Sequence, residues 1–217
     1  MTRVTMRNLL RRRLQDAGGI NAQNWEDTDL NELLNLGLHK AQKAILKVSP
    51  LAFMAIDKQT IEEDQEFYAK PDGFWYERQI QLLDTSENRY RTIKREDYEI
   101  ASRRESTSSE ITWSDFGRHI AIFPVPSARV ALGLRWLYVP TLEMSADNDV
   151  PQIHQGLHTL PLWYAHRLAL GETGETNEAI RDVEGLIGAD LADIPDYYHG
   201  GGSASGDMLV PQFHKGF

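Results

Sequence analysis

Apolar residues recur at helical spacing near the start of the chain. Met6, Leu10 and Leu14 lie four residues apart and form one stripe, which predicts a first helix. Thr5 is suited to cap this helix, and the helix is expected to end near Ala17, before a glycine pair.

A second helix is the clearest prediction from the pattern. Apolar positions follow the helical period from Leu30 to Val48, and Pro50 ends the run. Asp29 and Glu32 have the spacing of a capping arrangement at its start. The stretch that follows, Leu51–Ala69, has no clear period.

Alternation of period two replaces the helical period in the middle of the chain. It predicts strands at Phe74–Leu82, Ile111–Trp113, His119–Phe123 and Val130–Tyr138, with a short charged helix at Lys94–Arg104. The last three strands are joined by short turns and are expected to be antiparallel neighbours. In the longest strand, one face is expected to carry Val130, Leu132, Leu134, Trp136 and Tyr138.

Two more helices are predicted after Pro140. One carries the stripe Leu157, Leu160, Tyr164 and Leu168, and Pro161 either kinks it or marks its start. The other spans Asn177–Ala192. The predicted class is α+β: a helical bundle made of two N-terminal and two C-terminal helices, with an inserted antiparallel β section and an extended C-terminal arm. The corresponding segments are 1–55, 56–140, 141–196 and 197–217.

The C-terminal arm combines a linker with an apolar tail. Residues 200–206 are glycine and small polar residues, a composition typical of a flexible linker. The apolar residues that follow are Met208, Leu209, Val210, Pro211, Phe213 and Phe217. We expect this tail to dock on another surface, because a merely solvated end has little use for so many apolar residues.

Charge is unevenly distributed along the 217 residues, whose formal net charge is −9. Residues 141–196 contain eleven acidic and two basic residues. Five arginines precede the first acidic residue: Arg3, Arg7, Arg11, Arg12 and Arg13. Separate basic and acidic patches suit contacts between copies of one chain, whereas the net negative charge disfavours general coating of nucleic acid.

Several kinds of chemistry are excluded or disfavoured. The chain has no cysteine, which excludes disulfides and thiolate chemistry. It has neither a phosphate-binding GxxxxGK[ST] loop nor a dinucleotide GxGxxG motif. No apolar run is long enough to span a membrane, and the arginine-rich start does not resemble a secretory signal.

Three functional alternatives remain open. His154 and His158 would share a helix face and could serve a small metal-dependent hydrolase, although the glutamate of HExxH is absent. The pairs Asp147/Asp149 and Glu172/Glu175 could act in acid–base chemistry, but a solvated acidic surface accounts for them better. The arginine-rich first helix could bind nucleic acid.

Aromatic residues cluster in the β section. Trp113, Phe116, Phe123, Trp136 and Tyr138 could stack on bases, but the sequence favours a hydrophobic core because few basic residues are interleaved with them.

A set of motifs follows in a fixed order along residues 3–192: the turn Trp113–Gly117, the segment Ile120–Pro126, the strand Leu132–Pro140, the acidic turn Asp147–Pro151, and a helix with His158, Leu160, Tyr164 and Ala165. This order resembles that of the head-to-tail adaptor (connector, or head-completion) proteins of tailed bacteriophages. Residues Asp193–Phe217 depart from the pattern.

The resemblance implies a structural virion protein without catalytic residues, cofactors or metals. Such adaptors assemble in the bacterial host cytoplasm as a ring, commonly of twelve copies, beneath the portal. The ring extends the DNA channel, passes the genome without sequence-specific binding, and gives the tail or nozzle protein a docking surface. The five N-terminal arginines would then make inter-subunit charge contacts, and the apolar arm would dock on the portal or a neighbour. Glu172, Glu175, Glu178 and Asp182 would face the channel.

Overall fold

Five α-helices and two four-stranded sheets make up residues 1–16, 25–104, 110–174 and 177–198, the part of the chain that the computed structural model describes. The α+β prediction is therefore confirmed. The described residues divide into two compact units: unit 1 lies within residues 1–52 and 142–198, and unit 2 lies within residues 53–141. The glycine pair after the first helix, Glu175 and the C-terminal arm from residue 199 lie outside the described residues.

The helices are α1 (Arg3–Asp16), α2 (Asp27–Val48), α3 (Tyr98–Arg104), α4 (Leu160–Thr173) and α5 (Asn177–Tyr198). A single 3-10 turn, Gln155–Leu157, precedes α4. In unit 1, α2 packs against α4, α4 packs against α5, and α1 contacts both α2 and α4. The predicted stripe of Met6, Leu10 and Leu14 is buried.

Both predicted N-caps in the first half of unit 1 are wrong. α1 begins at Arg3 and not after Thr5, because the backbone N–H groups of Arg3 and Val4 donate to carbonyls of the segment at Asp147–Asp149. α2 begins one turn earlier than predicted: its N-cap is Glu26, whose backbone N–H donates to the Asp29 carboxylate at 3.2 Å. A distant segment thus supplies the N-terminal hydrogen bonds of α1.

Pro161 and Gly37 determine where α4 begins and how closely it packs against α2. Pro161 lies in the first turn of α4, so it marks the start of the helix and does not kink it. A Cβ atom on Gly37 of α2 would lie 2.2 Å from the Pro161 carbonyl oxygen, so α2 and α4 approach each other through a glycine. The last helix, α5, extends beyond the predicted Ala192 to Tyr198 with Pro195 inside it.

Unit 2 contains both sheets. The strands are β1 (Ala55–Ile61), β2 (Phe67–Ala69), β3 (Phe74–Asp84), β4 (Arg89–Thr92), β5 (Lys94–Arg95), β6 (Thr112–Phe116), β7 (His119–Phe123) and β8 (Val130–Pro140). The first sheet has the order β1-β8-β3-β4 and the second β2-β7-β6-β5. Residues of both sheets share one apolar core around Trp136 and Trp113, so the sheets pack face to face.

Three predictions for this region need correction. The stretch without a clear period holds two strands, β1 and β2, and β4 was not predicted. Lys94–Arg104 is helical from Tyr98 onwards, because Lys94 and Arg95 pair in parallel with β6. β6 and β7 are antiparallel neighbours as expected, but β8 lies between β1 and β3 of the other sheet and does not pair with β7.

Leu132 breaks the predicted face of β8. Gln59 pairs with Leu134 and Ile61 with Val130, so three residues of β8 bulge opposite Thr60. Leu132, inside the bulge, has φ +51° and a side chain that is 52% exposed, whereas Leu134 and Trp136 are fully buried. The alternation therefore holds on one side of the bulge and fails within it.

Candidate assembly surfaces

The arginines of α1 form ion pairs within their own chain. Both Arg3 and Arg7 pair with Asp147, and Arg7 binds both oxygens of that carboxylate, at 3.0 and 3.2 Å. Arg11 pairs with Asp27 at 2.6 Å. The side chains of Arg3 and Arg7 are only 12% and 9% exposed. Of the five predicted contact residues, these three thus have intramolecular partners, and Arg12 and Arg13 remain exposed.

The acidic turn Asp147–Asp149 has a structural role. Hydrogen bonds from Arg7 and Arg3 hold the pKa of the Asp147 carboxyl below its usual value. The Asp149 carboxylate accepts the backbone N–H groups of Ser145 and Ala146, at 2.6 and 2.7 Å. An Asp147 carboxyl held ionised in this way is a poor general acid, and Asp149 is engaged by backbone N–H groups, so the geometry does not favour the acid–base alternative for this pair.

Polar side chains of α2 tether the extended segment 142–149. The Asn35 amide both donates to the Met144 carbonyl and accepts the Met144 N–H, and the Gln42 side chain accepts the Leu142 N–H. Gln42 is fully buried, and its hydrogen bond satisfies a backbone group inside unit 1. Sequence reasoning missed both residues; polar positions next to the apolar stripe of α2 were the available signal.

His154 and His158, the two candidate metal ligands of the hydrolase alternative, are engaged in contacts with other groups of the protein. The Nδ1 atom of His154 accepts the Gly156 N–H at 3.2 Å, and its ring stacks on Tyr197 with centroids 4.2 Å apart. His158 lies between the Met1 amino group and the Ile153 carbonyl. Burial, followed by the charge of that amino group, lowers the pKa of His158. These contacts fit two structural histidines of the turn before α4.

His166 is a buried histidine that sequence reasoning missed. It is 6% exposed on α4, and neither ring nitrogen has a hydrogen-bond partner among the described residues. Burial, and secondarily the charge of Arg13, lowers the pKa of His166 to about 4. The Arg13 guanidinium lies over the Trp163 ring at 5.0 Å. Helical periodicity could have predicted that His166 is buried, because the apolar residues Leu162, Ala165 and Ala169 belong to the same buried side of α4.

The solvent side of α5 is acidic. Val183, Ile187 and Ile194 form its buried stripe. Glu178 and Asp182 are exposed near its start, and Asp193 and Asp196 near its end. Of the other predicted channel residues, Glu172 is exposed on α4.

Cations of unit 2 lie on aromatic rings. In the first sheet, Lys58 and Arg135 are both positioned over the ring of Tyr90, at 5.4 and 5.2 Å. In the second sheet, Phe116 is 52% exposed and contacts Phe67 and Tyr98 with ring centroids 5.3 Å apart. Trp113, Phe123 and Trp136 are buried, which agrees with the core interpretation of the aromatic cluster for these three residues.

Neither a metal-binding cluster nor a membrane-spanning helix is found among the described residues. No group of three histidine, aspartate or glutamate side chains in this part of the chain could hold a metal ion. No helix in the same residues is long and apolar enough to cross a membrane.

Comparison with known proteins identifies the family. No curated protein gives a match to this chain. The family model described as "SU10 adaptor protein" matches residues 1–202, which include both units. The chain therefore belongs to the SU10 adaptor protein family, structural head-to-tail adaptors of tailed bacteriophages.

Proposed function

We propose that this adaptor assembles as a closed ring of twelve copies beneath the portal, where it extends the DNA channel and gives the tail or nozzle protein its docking surface. The observation that carries the proposal is the family match over residues 1–202. The four long helices of unit 1 would form the bundle of each copy. Its work is mechanical and involves no catalysis, and assembly takes place in the bacterial host cytoplasm.

Charge supports a ring built from unlike faces. In a closed ring each copy presents one face to a neighbour and a different face to the other neighbour. Complementary charge sets the register of such contacts more than their affinity. Arg12 and Arg13 are exposed and form no ion pair with a described residue, although Arg13 also lies over the Trp163 ring, whereas Arg3, Arg7 and Arg11 first serve to fix α1.

The proposed channel wall is acidic. Glu172, Glu178 and Asp182 are exposed, and we assign them, with Glu175, to the channel surface. Carboxylates repel DNA phosphates, so the genome would slide past without sequence-specific binding. The apolar residues 208–217 are assigned to docking on the portal or a neighbouring copy.

The test is assembly in the presence of the cognate portal protein. Light scattering should show a gain in mass that corresponds to twelve copies per portal ring, and electron microscopy should show Glu178 and Asp182 facing the channel. Carboxylates that face outward would refute the channel assignment. Failure to join any higher-order particle, with or without portal, would refute the ring.

A further inference from the structure

The outward face of the first sheet in unit 2 is not covered by another described element, and it carries cations without an ion-pair partner among the described residues. Ile80, Leu134 and Trp136 point into the core, so the residues between them in register point outward. The outward row contains Lys58, Arg135, Gln81 and Thr92, which are cross-strand neighbours. Ile56 on the same side of β1 is 45% exposed.

The two cations on this face have no carboxylate partner in the part of the chain that the structure describes. Neither Lys58 nor Arg135 forms an ion pair with any described residue, and the Nε atom of Arg135 is buried without a hydrogen bond in that part of the chain. Both side chains lie over the Tyr90 ring. By contrast, Arg89 and Arg91 on the edge strand are neutralised by Glu87 and Asp84. Lys58 and Arg135 are therefore held in place, but no described carboxylate neutralises them.

The bulge presents Leu132 beside these cations in a strained conformation. A leucine at φ +51° is disfavoured, because its Cβ crowds the backbone in the left-handed region. The bulge is fixed from two sides: the Tyr90 hydroxyl donates to the Leu132 carbonyl at 2.6 Å, and the Leu132 N–H donates to the Thr60 hydroxyl oxygen at 3.5 Å. Strain of this kind persists where the surroundings over-determine it, and it is concentrated at functional positions.

The end of α5 in unit 1 has the complementary chemistry. Asp193 and Asp196 are exposed in its last turns, where the helix dipole already places negative charge, and no basic residue lies in the last turn. Neither carboxylate forms an ion pair with a described residue, in contrast to Glu184, which pairs with Arg167. Burial raises the pKa of Asp190, and the charge of Asp193 adds to the rise. Cations supplied by another molecule would relieve this excess of negative charge.

The two cations on the sheet are about as far apart as the two carboxylates on α5. Cross-strand partners such as Lys58 and Arg135 have Cβ atoms about 5 Å apart, and helical residues three apart have a similar separation. Asp193 lies eleven residues beyond Asp182, about 16 Å along the helix. The end of α5 can therefore contact a neighbour while its start faces the channel.

We propose that this face of one copy docks on the end of α5 of the next copy, with Lys58 and Arg135 opposite Asp193 and Asp196 and with Ile56 and Leu132 in the contact. The occupant is a second copy of this chain, because the chain itself carries the matching acidic surface and the exposed apolar pair suits protein better than DNA. The inference rests on the proposed ring and names two of its unlike faces.

Disulfide crosslinking tests the contact directly, because the chain has no cysteine of its own. A chain with Arg135→Cys and Asp196→Cys, assembled on portal and oxidised, should give a ladder of covalent multimers that collapses on reduction. Each single-cysteine chain should give none. The control pair Asp72→Cys with Asp196→Cys, which moves one thiol to the turn before β3, should give none either.

Charge exchange provides an independent test. Lys58→Glu with Arg135→Glu should raise the concentration needed for assembly at least tenfold, and adding Asp193→Lys with Asp196→Lys in the same chain should restore assembly. Leu132→Gly should weaken assembly while the unfolding midpoint stays the same or rises. Its control, Asn88→Gly, also replaces a residue at positive φ, in the β3–β4 turn, and should leave assembly unchanged.

The outcomes separate the two proposals. If wild-type protein forms rings on portal but no ladder appears and the charge exchange restores nothing, the contact is refuted and the ring stands. If wild-type protein forms no ring at all, both proposals are refuted. A similar ladder from the Asp72 control would show nonspecific oxidation and would also overturn the assigned contact.

Discussion

The two units differ in how they accommodate polar side chains in their interiors. Unit 1 buries Arg7, Gln42 and His166 among its helices. Unit 2 buries a largely apolar core around Trp136 and keeps several of its cations, such as Arg95 and Arg135, on the faces of aromatic rings. Helices satisfy their own backbone groups, so a non-helical segment packed on them needs side-chain partners, whereas strands satisfy each other through the ladder. The specific polar contacts therefore lie where segment 142–149 crosses α1 and α2.

The largest expected effect is the loss of the core tryptophan of unit 2. Trp136→Ala removes a fully buried side chain that is shared by the two sheets, and should cost about 3–5 kcal/mol of unfolding free energy. Hydrogen exchange should show lost protection in β1, β3 and β8 and retained protection in α2 and α4. Equal losses in all of these elements would mean that the comparison between units does not extend to their stability.

The second-largest expected effect is a dependence of the stability of unit 1 on pH. Since the pKa of His166 falls from 6.5 to about 4 on folding, the unfolded chain binds the proton first as the pH decreases. Stability should therefore fall by about 3 kcal/mol between pH 6.5 and pH 4.

His166→Leu should flatten that part of the pH profile and leave stability at pH 7 equal or higher, because neither ring nitrogen has a partner among the described residues. Denaturant melts at several pH values measure both quantities. His119→Gln, at an exposed position that begins β7, serves as the control and should keep the wild-type slope.

The contact between α2 and α4 should tolerate no added methyl group. Gly37→Ala places a Cβ atom against the Pro161 carbonyl and should cost about 1–3 kcal/mol, because the helices must move apart. Gly185→Ala on α5, where an added Cβ has no atom within 4 Å, should instead stabilise by about 0.5–1 kcal/mol. Thermal melts of the two variants that shift in the same direction would contradict this account of the packing.

The smallest expected effect concerns the ion pairs of α1. Asp147→Asn should lower stability at pH 7, since Arg3 and Arg7 lose their shared carboxylate. The folded pKa of Asp147 is below its usual 3.8, so the stabilisation is complete above that value and is lost as the pH falls through the folded pKa. The difference between wild type and variant should thus vanish in strong acid and shrink in high salt. A difference that persists in acid would show that the carboxamide disturbs packing instead.

Particular residues show where sequence reasoning succeeded. The regular stripe of α2 and the alternation of Leu134 and Trp136 in β8 identified buried faces, because burial imposes a period that a sequence records directly. The same reasoning missed β1 and β2, whose short, mixed patterns belong to edge strands with partly exposed sides. It also placed β7 beside β8, because turn length says which strands are near each other and not which sheet each joins.

The candidate surfaces likewise have some features that the sequence predicted and others that it could not. The ordered motifs indicated the adaptor family, and the charge pattern located the acids that α5 presents to solvent. The ion pairs of α1 with Asp147 could not be predicted, because they join residues about 140 positions apart.

The sequence by itself determined the buried stripes of α1 and α2, the α+β class, the uneven charge and the family, but not the buried face of α4, where Tyr164 and Leu168 of the predicted stripe are only half-buried. Only the tertiary structure decided which arginines are already paired, that Leu132 leaves the core, and that Lys58 and Arg135 have no counter-charge among the described residues. The physical reason is range: hydrophobic periodicity acts between residues a few positions apart, whereas ion pairs and strand registers depend on segments that only the folded chain brings together.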